Sequence, residues 1–265
     1  MVKKTFASVL LGLSLMSVLN AKECVSPLTR SVKYHQQSAE IRALQLQSYK
    51  MAKMALDNNL KLVKDKKPAV ILDLDETVLN TFDYAGYLVK NCIKYTPETW
   101  DKFEKEGSLT LIPGALDFLE YANSKGVKIF YISNRTQKNK AFTLKTLKSF
   151  KLPQVSEESV LLKEKGKPKA VRRELVAKDY AIVLQVGDTL HDFDALFAKD
   201  AKNSQEQQAK VLQNAQKFGT EWIILPNSLY GTWEDEPIKA WQNKKLKFIH
   251  RIRTIFANMT KNLIS

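Results

Sequence analysis

Residues 68–81 read PAVILDLDETVLNT, and this stretch decides the fold. Four consecutive apolar residues, 69–72, run directly into Asp73 and Asp75. A short apolar run without polar alternation is typical of a strand that is buried on both faces, as in a parallel sheet. Because ligands bind beyond the carboxyl ends of such strands, the two carboxylates are candidate site residues. The alternative is a helix start, with Asp73 as its cap.

Downstream of this stretch, short apolar runs alternate with helical patterns. We predict strands at residues 127–132, 160–162, 181–186 and 221–225, and helices at 115–124, 137–150 and about 170–177. This alternation predicts a parallel sheet with helices on both faces. The fold class is therefore α/β, a doubly wound parallel sheet of about five strands with a smaller helical lobe.

The helical lobe is predicted from the segments that lie outside the sheet. Residues 28–64 carry apolar residues at helical spacing, with neither Gly nor Pro within 30–64, and predict one helix or two packed helices. Parts of 82–112, an irregular segment rich in aromatic residues, and of 234–262, rich in Lys and Arg, complete the lobe. With a Rossmann-like core at about 66–232, residues 22–265 form a single catalytic unit.

The N-terminus predicts export. Lys3 and Lys4 precede an apolar run at 6–19, which is too short for a comfortable membrane span and typical of a signal peptide, here residues 1–21. Lipidation of Cys24 is the alternative, which the charged Glu23 disfavours. We expect the mature protein in the periplasm, or associated with the outer membrane, of a Gram-negative type of bacterium.

The charge of the chain favours anionic partners. Its formal net charge of +14 suits phosphorylated solutes, nucleic acid or an acidic membrane surface, and a solvated lysine-rich surface is the alternative. Only Cys24 and Cys92 occur. They could pair in an oxidising compartment or remain free thiols, and their spacing does not predict a zinc site.

Polar residues follow further strands of the predicted sheet. Ser133 and Asn134 follow the strand at 127–132, and Asp188 and Asp192 follow the strand at 181–186. Carboxyl ends of parallel strands meet at one edge, so we expect these side chains to share a crevice with Asp73. Paired carboxylates there suit a hard cation, or a nucleophile with a proton donor beside it.

The order and spacing of these residues resemble the four motifs of the haloacid dehalogenase superfamily of phosphotransferases. Residues 70–84, 183–193 and 225–234 more closely resemble segments of the bacterial class C acid phosphatases, which include 5′-nucleotidases. The resemblance runs from about residue 30 to about 245. It implies a Mg²⁺-dependent acid phosphatase that hydrolyses phosphomonoesters, including nucleoside 5′-monophosphates, through an aspartyl-phosphate. It also implies a dimer.

The resemblance assigns a role to each motif residue. Asp73 would be the nucleophile, and Asp75 the acid that protonates the leaving alcohol and then accepts a proton from water. Asp73, Asp188 and the main-chain carbonyl of Asp75 would hold Mg²⁺, with Asp192 orienting a metal-bound water. Ser133 would donate a hydrogen bond to the phosphoryl group.

A lysine must balance the charge of the phosphate and the carboxylates. The family spacing favours Lys169 over Lys167, and a solvated basic loop is the alternative for both. We include Asn134, which follows Ser133, among the substrate-binding residues.

Two aromatic residues, Trp100 and Tyr230, fall where the family has a clamp for the base of a nucleotide. Flat rings suit stacking on a flat base of any identity. Packing in the core is the alternative for each ring.

Two rival functions remain at this point. A receiver-type signalling domain would also be doubly wound and would accept phosphate without turnover. A non-catalytic protein on the same fold would use its positive charge to bind polyanions or a membrane surface. We expect no nucleic acid partner, and a phosphate-release assay with and without EDTA separates these hypotheses.

Overall fold

The computed structural model describes residues 28–198, 204–234 and 236–237. Its strands in this part of the chain are β1 (Lys67–Leu72), β2 (Leu79–Asn80), β3 (Thr110–Leu111), β4 (Lys128–Thr136), β5 (Val160–Lys163), β6 (Tyr180–Gly187) and β7 (Trp222–Ile224). Its α-helices there are α1 (Thr29–Gln37), α2 (Ala39–Leu60), α3 (Phe82–Asn91), α4 (Pro97–Glu106), α5 (Ala115–Ser124), α6 (Lys140–Ser149), α7 (Lys169–Asp179) and α8 (Ser204–Gln213).

Five parallel strands form the main sheet in the order β5-β4-β1-β6-β7. The central strand β1 is paired on both sides, and Leu72 lies opposite Tyr131 of β4 and Val186 of β6. The residues that follow these three positions therefore emerge at one edge of the sheet. The predicted α/β class and the predicted strand count are confirmed.

Helices cover both faces of the sheet because successive side chains of β1 point to opposite sides. Val70 and Leu72 belong to the larger core, which also includes residues of α2, α5 and α6. Ala69 and Ile71 pack on the other face with Val176 of α7. The side chains of residues 69–72 are all buried, which explains the unbroken apolar run in the sequence.

The predicted helical segment at residues 28–64 consists of two helices. Ser38 separates them with extended backbone, and its hydroxyl accepts a hydrogen bond from the amide of Ile41 at 3.1 Å. This is an N-cap, which begins a new helix by satisfying one of its free amides.

The segment at 82–112, parts of which were predicted to belong to the helical lobe, contains α3 and α4, and β3 pairs antiparallel with β2. Thr96 and Pro97 mark the start of α4, with Thr96 in a capping box and Pro97 in the first turn. The aromatic content of the segment obscured this helix start. Between the two helices, Cys92 is disulfide-bonded, and Cys24, the other cysteine of the chain, lies outside the described residues.

The predicted signal peptide at 1–21 and the tract beyond residue 237 also lie outside the described residues. The division of the remaining chain into a core and a lobe stays a prediction. Among the helices in the described part of the chain, none has the length and apolar character needed to cross a membrane.

Candidate active site

Three buried carboxylates meet at the carboxyl edge of the sheet. Asp73 directly follows β1, and its amide donates to the carbonyl of Val186 at 3.0 Å, which fixes it against β6. One oxygen each of Asp73, Asp188 and Asp192 lies within 4.8 Å of the others. The sequence placed these three residues together correctly, because the register of the sheet aligns the ends of β1 and β6.

One ammonium group lies among these carboxylates. Lys169 is the first residue of α7, and its Nζ donates to Asp73 Oδ1 at 2.6 Å and to Asp192 Oδ1. Lys167 instead lies at the surface and pairs with Glu164 at 2.6 Å. The structure therefore brings Lys169 into the site and leaves Lys167 outside it.

Burial dominates the electrostatics of the cluster. It raises the pKa of the Asp73 carboxyl to about 7, although Lys169 acts to lower it. Burial, with Asp192 and Asp73 beside it, raises the pKa of Asp188 well above its usual value. Three buried carboxylates, of which only Asp73 and Asp192 bond the ammonium of Lys169, favour a further positive charge, and an all-oxygen donor set suits a hard divalent cation. The residues present therefore fit a divalent metal.

Asp188 is held by two neighbours. Thr77 Oγ1 donates to its Oδ1 at 3.1 Å, and Asn227 Nδ2 donates to its Oδ2 at 2.7 Å. Asn227 lies in the loop after β7, and no role was predicted for it from the sequence. Its position in the segment 225–234, already linked to the family, was the signal that could have found it.

Asp75 lies apart from the three-carboxylate cluster and pairs with Arg135. The guanidinium donates through Nε to both carboxylate oxygens at 3.1 Å and through Nη2 to Oδ1 at 2.7 Å. The Arg135 side chain is 1% exposed and that of Asp75 is 14% exposed. Sequence reasoning missed Arg135, although it follows Ser133 and Asn134 at the end of β4.

Ser133 and Asn134 are held by α7. Ser133 is buried, and its carbonyl accepts from Arg172 Nη1 at 2.6 Å, whereas its Oγ accepts from the amide of Arg135 at 3.1 Å. Asn134 is exposed, and its Oδ1 accepts from Arg172 Nη2 at 3.3 Å. Arg172 thereby fixes the end of β4 from the neighbouring helix.

Arg173 fixes the loop after β6 in the same way. Its Nη1 donates to the carbonyl of His191 at 2.9 Å and to that of Asp192 at 3.2 Å. Arg172 and Arg173 follow Lys169 by three and four residues, so all three point from one side of α7 toward the site. That spacing was visible in the sequence and was missed.

Trp100 lies on α4 and is half-buried. Its ring meets Tyr84 edge-on with centroids 5.0 Å apart, and the Arg135 guanidinium carbon lies 6.0 Å from the ring centroid. The indole N–H donates to Glu104 Oε1 at 2.6 Å. The structure therefore places Trp100 next to the Arg135–Asp75 pair.

Tyr230 lies in the loop after β7 and is 37% exposed. Its hydroxyl donates to Glu76 Oε2, and Thr81 Oγ1 donates to the other oxygen of that carboxyl. Glu76 is buried, and burial, with Asp75 beside it, raises its pKa to about 8. The backbone of Glu76 is left-handed, with φ of 56°. The direction of its side chain therefore could not be predicted from the extended strand that precedes it.

An open groove of about 710 Å³ adjoins the cluster. Asp188, Asn227 and Tyr230 line its catalytic end, and Leu44, Met51, Ile224 and Trp233 are among its apolar side chains. The site is therefore open on the β7 side of the sheet.

Comparisons with known proteins agree with this geometry. The family model of the haloacid dehalogenase superfamily, subfamily IIIB (acid phosphatase), matches residues 14–233. The class C acid phosphatase from Bacillus anthracis is 36% identical, with a TM-score of 0.73 over 81% of this chain and 92% of that chain. The same enzyme with tungstate bound is 34% identical, with a TM-score of 0.72 over 84% of this chain and 94% of that chain. The resemblance found in the sequence is confirmed, and the chain belongs to the acid phosphatases of haloacid dehalogenase subfamily IIIB.

Proposed function

We propose that this phosphomonoesterase is an exported, Mg²⁺-dependent acid phosphatase that acts on small phosphate esters, including nucleoside 5′-monophosphates, through an aspartyl-phosphate. The observation that carries the proposal is the buried position of Asp73 at the end of the central strand, where it bonds Lys169 and lies beside Asp188 and Asp192. A buried carboxylate fixed by an ammonium is oriented for attack and shielded from water.

Asp73 attacks phosphorus, so that an oxygen–phosphorus bond forms to its carboxylate as the bond to the leaving oxygen breaks. Asp75 supplies the proton that the leaving alcohol needs. Asp75 then accepts a proton from the water that attacks the aspartyl-phosphate and releases inorganic phosphate. The first step therefore requires the protonated form of Asp75.

The remaining polar groups would hold the metal or contact the phosphoryl oxygens. Asp73, Asp188 and the main-chain carbonyl of Asp75 would hold Mg²⁺, and Asp192 would orient a water in its shell. A bound Mg²⁺ would neutralise charge that develops on the phosphoryl oxygens. Lys169 adds its positive charge, and the Ser133 hydroxyl donates a hydrogen bond, with Asn134 at the rim.

Nucleotide substrates are supported by the two aromatic side chains near the site. Trp100 is half-buried and Tyr230 is 37% exposed, so neither residue is sealed in the core, as a stacking surface requires. Export to the periplasm or the outer membrane is supported by the pattern of residues 1–21, and association with an acidic membrane surface by the charge of +14. A homodimer is supported by the family resemblance.

A phosphate-release assay tests the proposal. We expect purified protein to release phosphate from AMP and from glycerol phosphate at acidic pH, to lose this activity in EDTA and to regain it when Mg²⁺ is added. Activity that persists in EDTA contradicts the metal, and release from glycerol phosphate without release from AMP contradicts the nucleotide substrates.

A further inference from the structure

The two rings assigned to nucleotide binding share an unusual feature. Trp100 and Tyr230 come from different parts of the fold, α4 and the loop after β7. Yet each uses its one side-chain donor on a buried glutamate, Trp100 on Glu104 and Tyr230 on Glu76. Glu104 is 4% exposed and Glu76 is 1% exposed.

Glu104 also accepts a hydrogen bond from a second side chain. Asn139, which is buried, donates through Nδ2 to Glu104 Oε2 and to Asp101 Oδ1, the latter at 2.6 Å. Both oxygens of Glu104 are therefore used, one by Asn139 and one by the indole. This arrangement fixes the plane of the Trp100 ring relative to α4.

Both carboxyl oxygens of Glu76 accept hydrogen bonds in the same way. Thr81, which is buried, donates to one carboxyl oxygen, and Tyr230 donates to the other. The loop that carries Tyr230 is already anchored, because Asn227 bonds Asp188 and the amide of Ser228 donates to His35 Nε2 at 3.0 Å. The hydrogen bond to Glu76 then restricts the rotation of the Tyr230 side chain, which the anchored loop alone would leave free.

We propose that Glu76 and Glu104 are positioning residues that hold Tyr230 and Trp100 in the orientation that receives the flat ring of a substrate. The proposal rests on the proposed function, since it assumes that the two rings bind a nucleotide base. A buried carboxyl is costly unless its oxygens are hydrogen-bonded, and in each case one of the two bonds goes to the ring.

The benefit lies in preorganisation. An aromatic side chain that rotates freely must be ordered when the base binds, which weakens binding by about two- to tenfold per side chain. A ring that is tethered before binding avoids this loss. The effect falls on the KM for ring-bearing substrates, because the tethers touch neither the phosphoryl group nor the leaving oxygen.

Tyr230→Phe is the sharpest variant, because it keeps the ring and removes only the donor to Glu76. Glu104→Ala removes the acceptor of the Trp100 indole, and Glu104→Gln restores an acceptor oxygen. Glu106→Ala is the matched control, since Glu106 also lies on α4 but is 66% exposed in its side chain. For each protein, KM and kcat are measured with AMP and with glycerol phosphate, which has no ring.

We expect Tyr230→Phe and Glu104→Ala each to raise the ratio of the KM for AMP to the KM for glycerol phosphate about two- to tenfold. Glu104→Gln should recover most of this ratio, and Glu106→Ala should keep the wild-type ratio. An unchanged ratio in both Tyr230→Phe and Glu104→Ala overturns the proposal. Equal losses on both substrates with a lowered melting temperature also overturn it, because they indicate a purely structural role.

Trp100→Ala separates this result from a failure of the proposed function. If Trp100→Ala raises the AMP ratio and the tether variants do not, the rings bind the base but the glutamates do not position them. If Trp100→Ala leaves the ratio unchanged while AMP is still hydrolysed, Trp100 does not stack on the base and the positioning role of Glu104 falls with it. A wild-type protein that releases no phosphate from AMP is the separate failure of the proposed function. If Glu104→Ala does not fold, Tyr230→Phe still decides the outcome, and an unchanged ratio in that variant overturns the proposal.

Discussion

The catalytic centre and the aromatic rim are built in different ways. In the centre, Asp73, Asp188 and Lys169 are all buried, and each lies at or just after the end of a strand or the start of a helix. At the rim, Trp100 and Tyr230 keep part of each ring exposed and lie on a helix and in a loop outside the main sheet. Strands and helices thus fix the positions of the buried side chains of the centre, whereas side-chain hydrogen bonds fix the orientations of the two rings at the rim.

The difference extends to the two carboxylates of the first motif. Asp73 and Asp75 are two residues apart, yet Asp73 binds an ammonium in the centre and Asp75 binds the guanidinium of Arg135 on the side of Trp100. Different surroundings allow two carboxylates to divide the nucleophile and acid roles. We therefore expect changes in the centre to abolish turnover and changes at the rim to alter substrate preference.

The largest effect is expected from Asp73→Asn, which removes the proposed nucleophile while keeping the shape of the side chain. Turnover should fall by about a thousandfold or more on every ester, as expected when a covalent step is lost. The measurement is phosphate release, with circular dichroism to verify the fold. A folded variant that retains more than about a tenth of the wild-type rate contradicts the role of Asp73.

Asp188→Asn should act next most strongly, through the metal. Mg²⁺ would lose a charged ligand, so the concentration of Mg²⁺ at half-maximal activity should rise by about tenfold or more. A Mg²⁺ titration at saturating substrate measures this. The result that counts against the assignment is an unchanged Mg²⁺ requirement together with unchanged activity when Mg²⁺ is limiting.

At the rim, Trp100→Ala and Tyr230→Ala should each raise the KM for a nucleoside monophosphate by about five- to a hundredfold, because stacking on a ring is lost. The KM for a triose phosphate should change far less. Steady-state kinetics on both substrates test the prediction. Equal losses on both esters would show that the rings pack the core and would leave only a broad acid phosphatase.

The same contrast explains how much the sequence predicted. The centre was predictable because Asp73, Ser133 and Asp188 follow apolar strands, and parallel strands bring their carboxyl ends together. The bounds of the two helices in 82–112 were not predicted, because the aromatic residues there do not follow a simple helical pattern. Arg135 and Glu104 were missed for a different reason: their roles depend on side-chain contacts between separate segments, and a single sequence carries no periodic signal for those.

The smallest effect we predict is a change with pH in the stability of the metal-free protein. Its direction follows from the buried carboxyls of the catalytic centre. Burial raises the pKa of Asp73 to about 7 and that of Asp188 well above its usual value. The folded protein therefore keeps protons on these carboxyls at pH values where the unfolded chain has lost them. The contribution of Asp73 to stability is full below about pH 4 and is lost as the pH rises through about 7. That of Asp188 has the same sign, because the pKa of this carboxyl is also raised on folding.

Asp188→Asn isolates this contribution. In EDTA, the melting temperature of the wild type should fall between pH 5 and pH 8, and the fall should be smaller in the variant, by roughly 2–4 °C for each kcal/mol of repulsion removed. His35, whose pKa burial lowers to about 4, acts in the opposite sense below about pH 6.5, but it is common to both proteins and cancels in the comparison. The exposed change Glu106→Gln should keep the wild-type fall. The prediction is contradicted if thermal melts give all three proteins the same pH dependence. That result would show that the neighbours of Asp188 do not disfavour its ionised form, and it would remove the electrostatic reason for placing a divalent cation there.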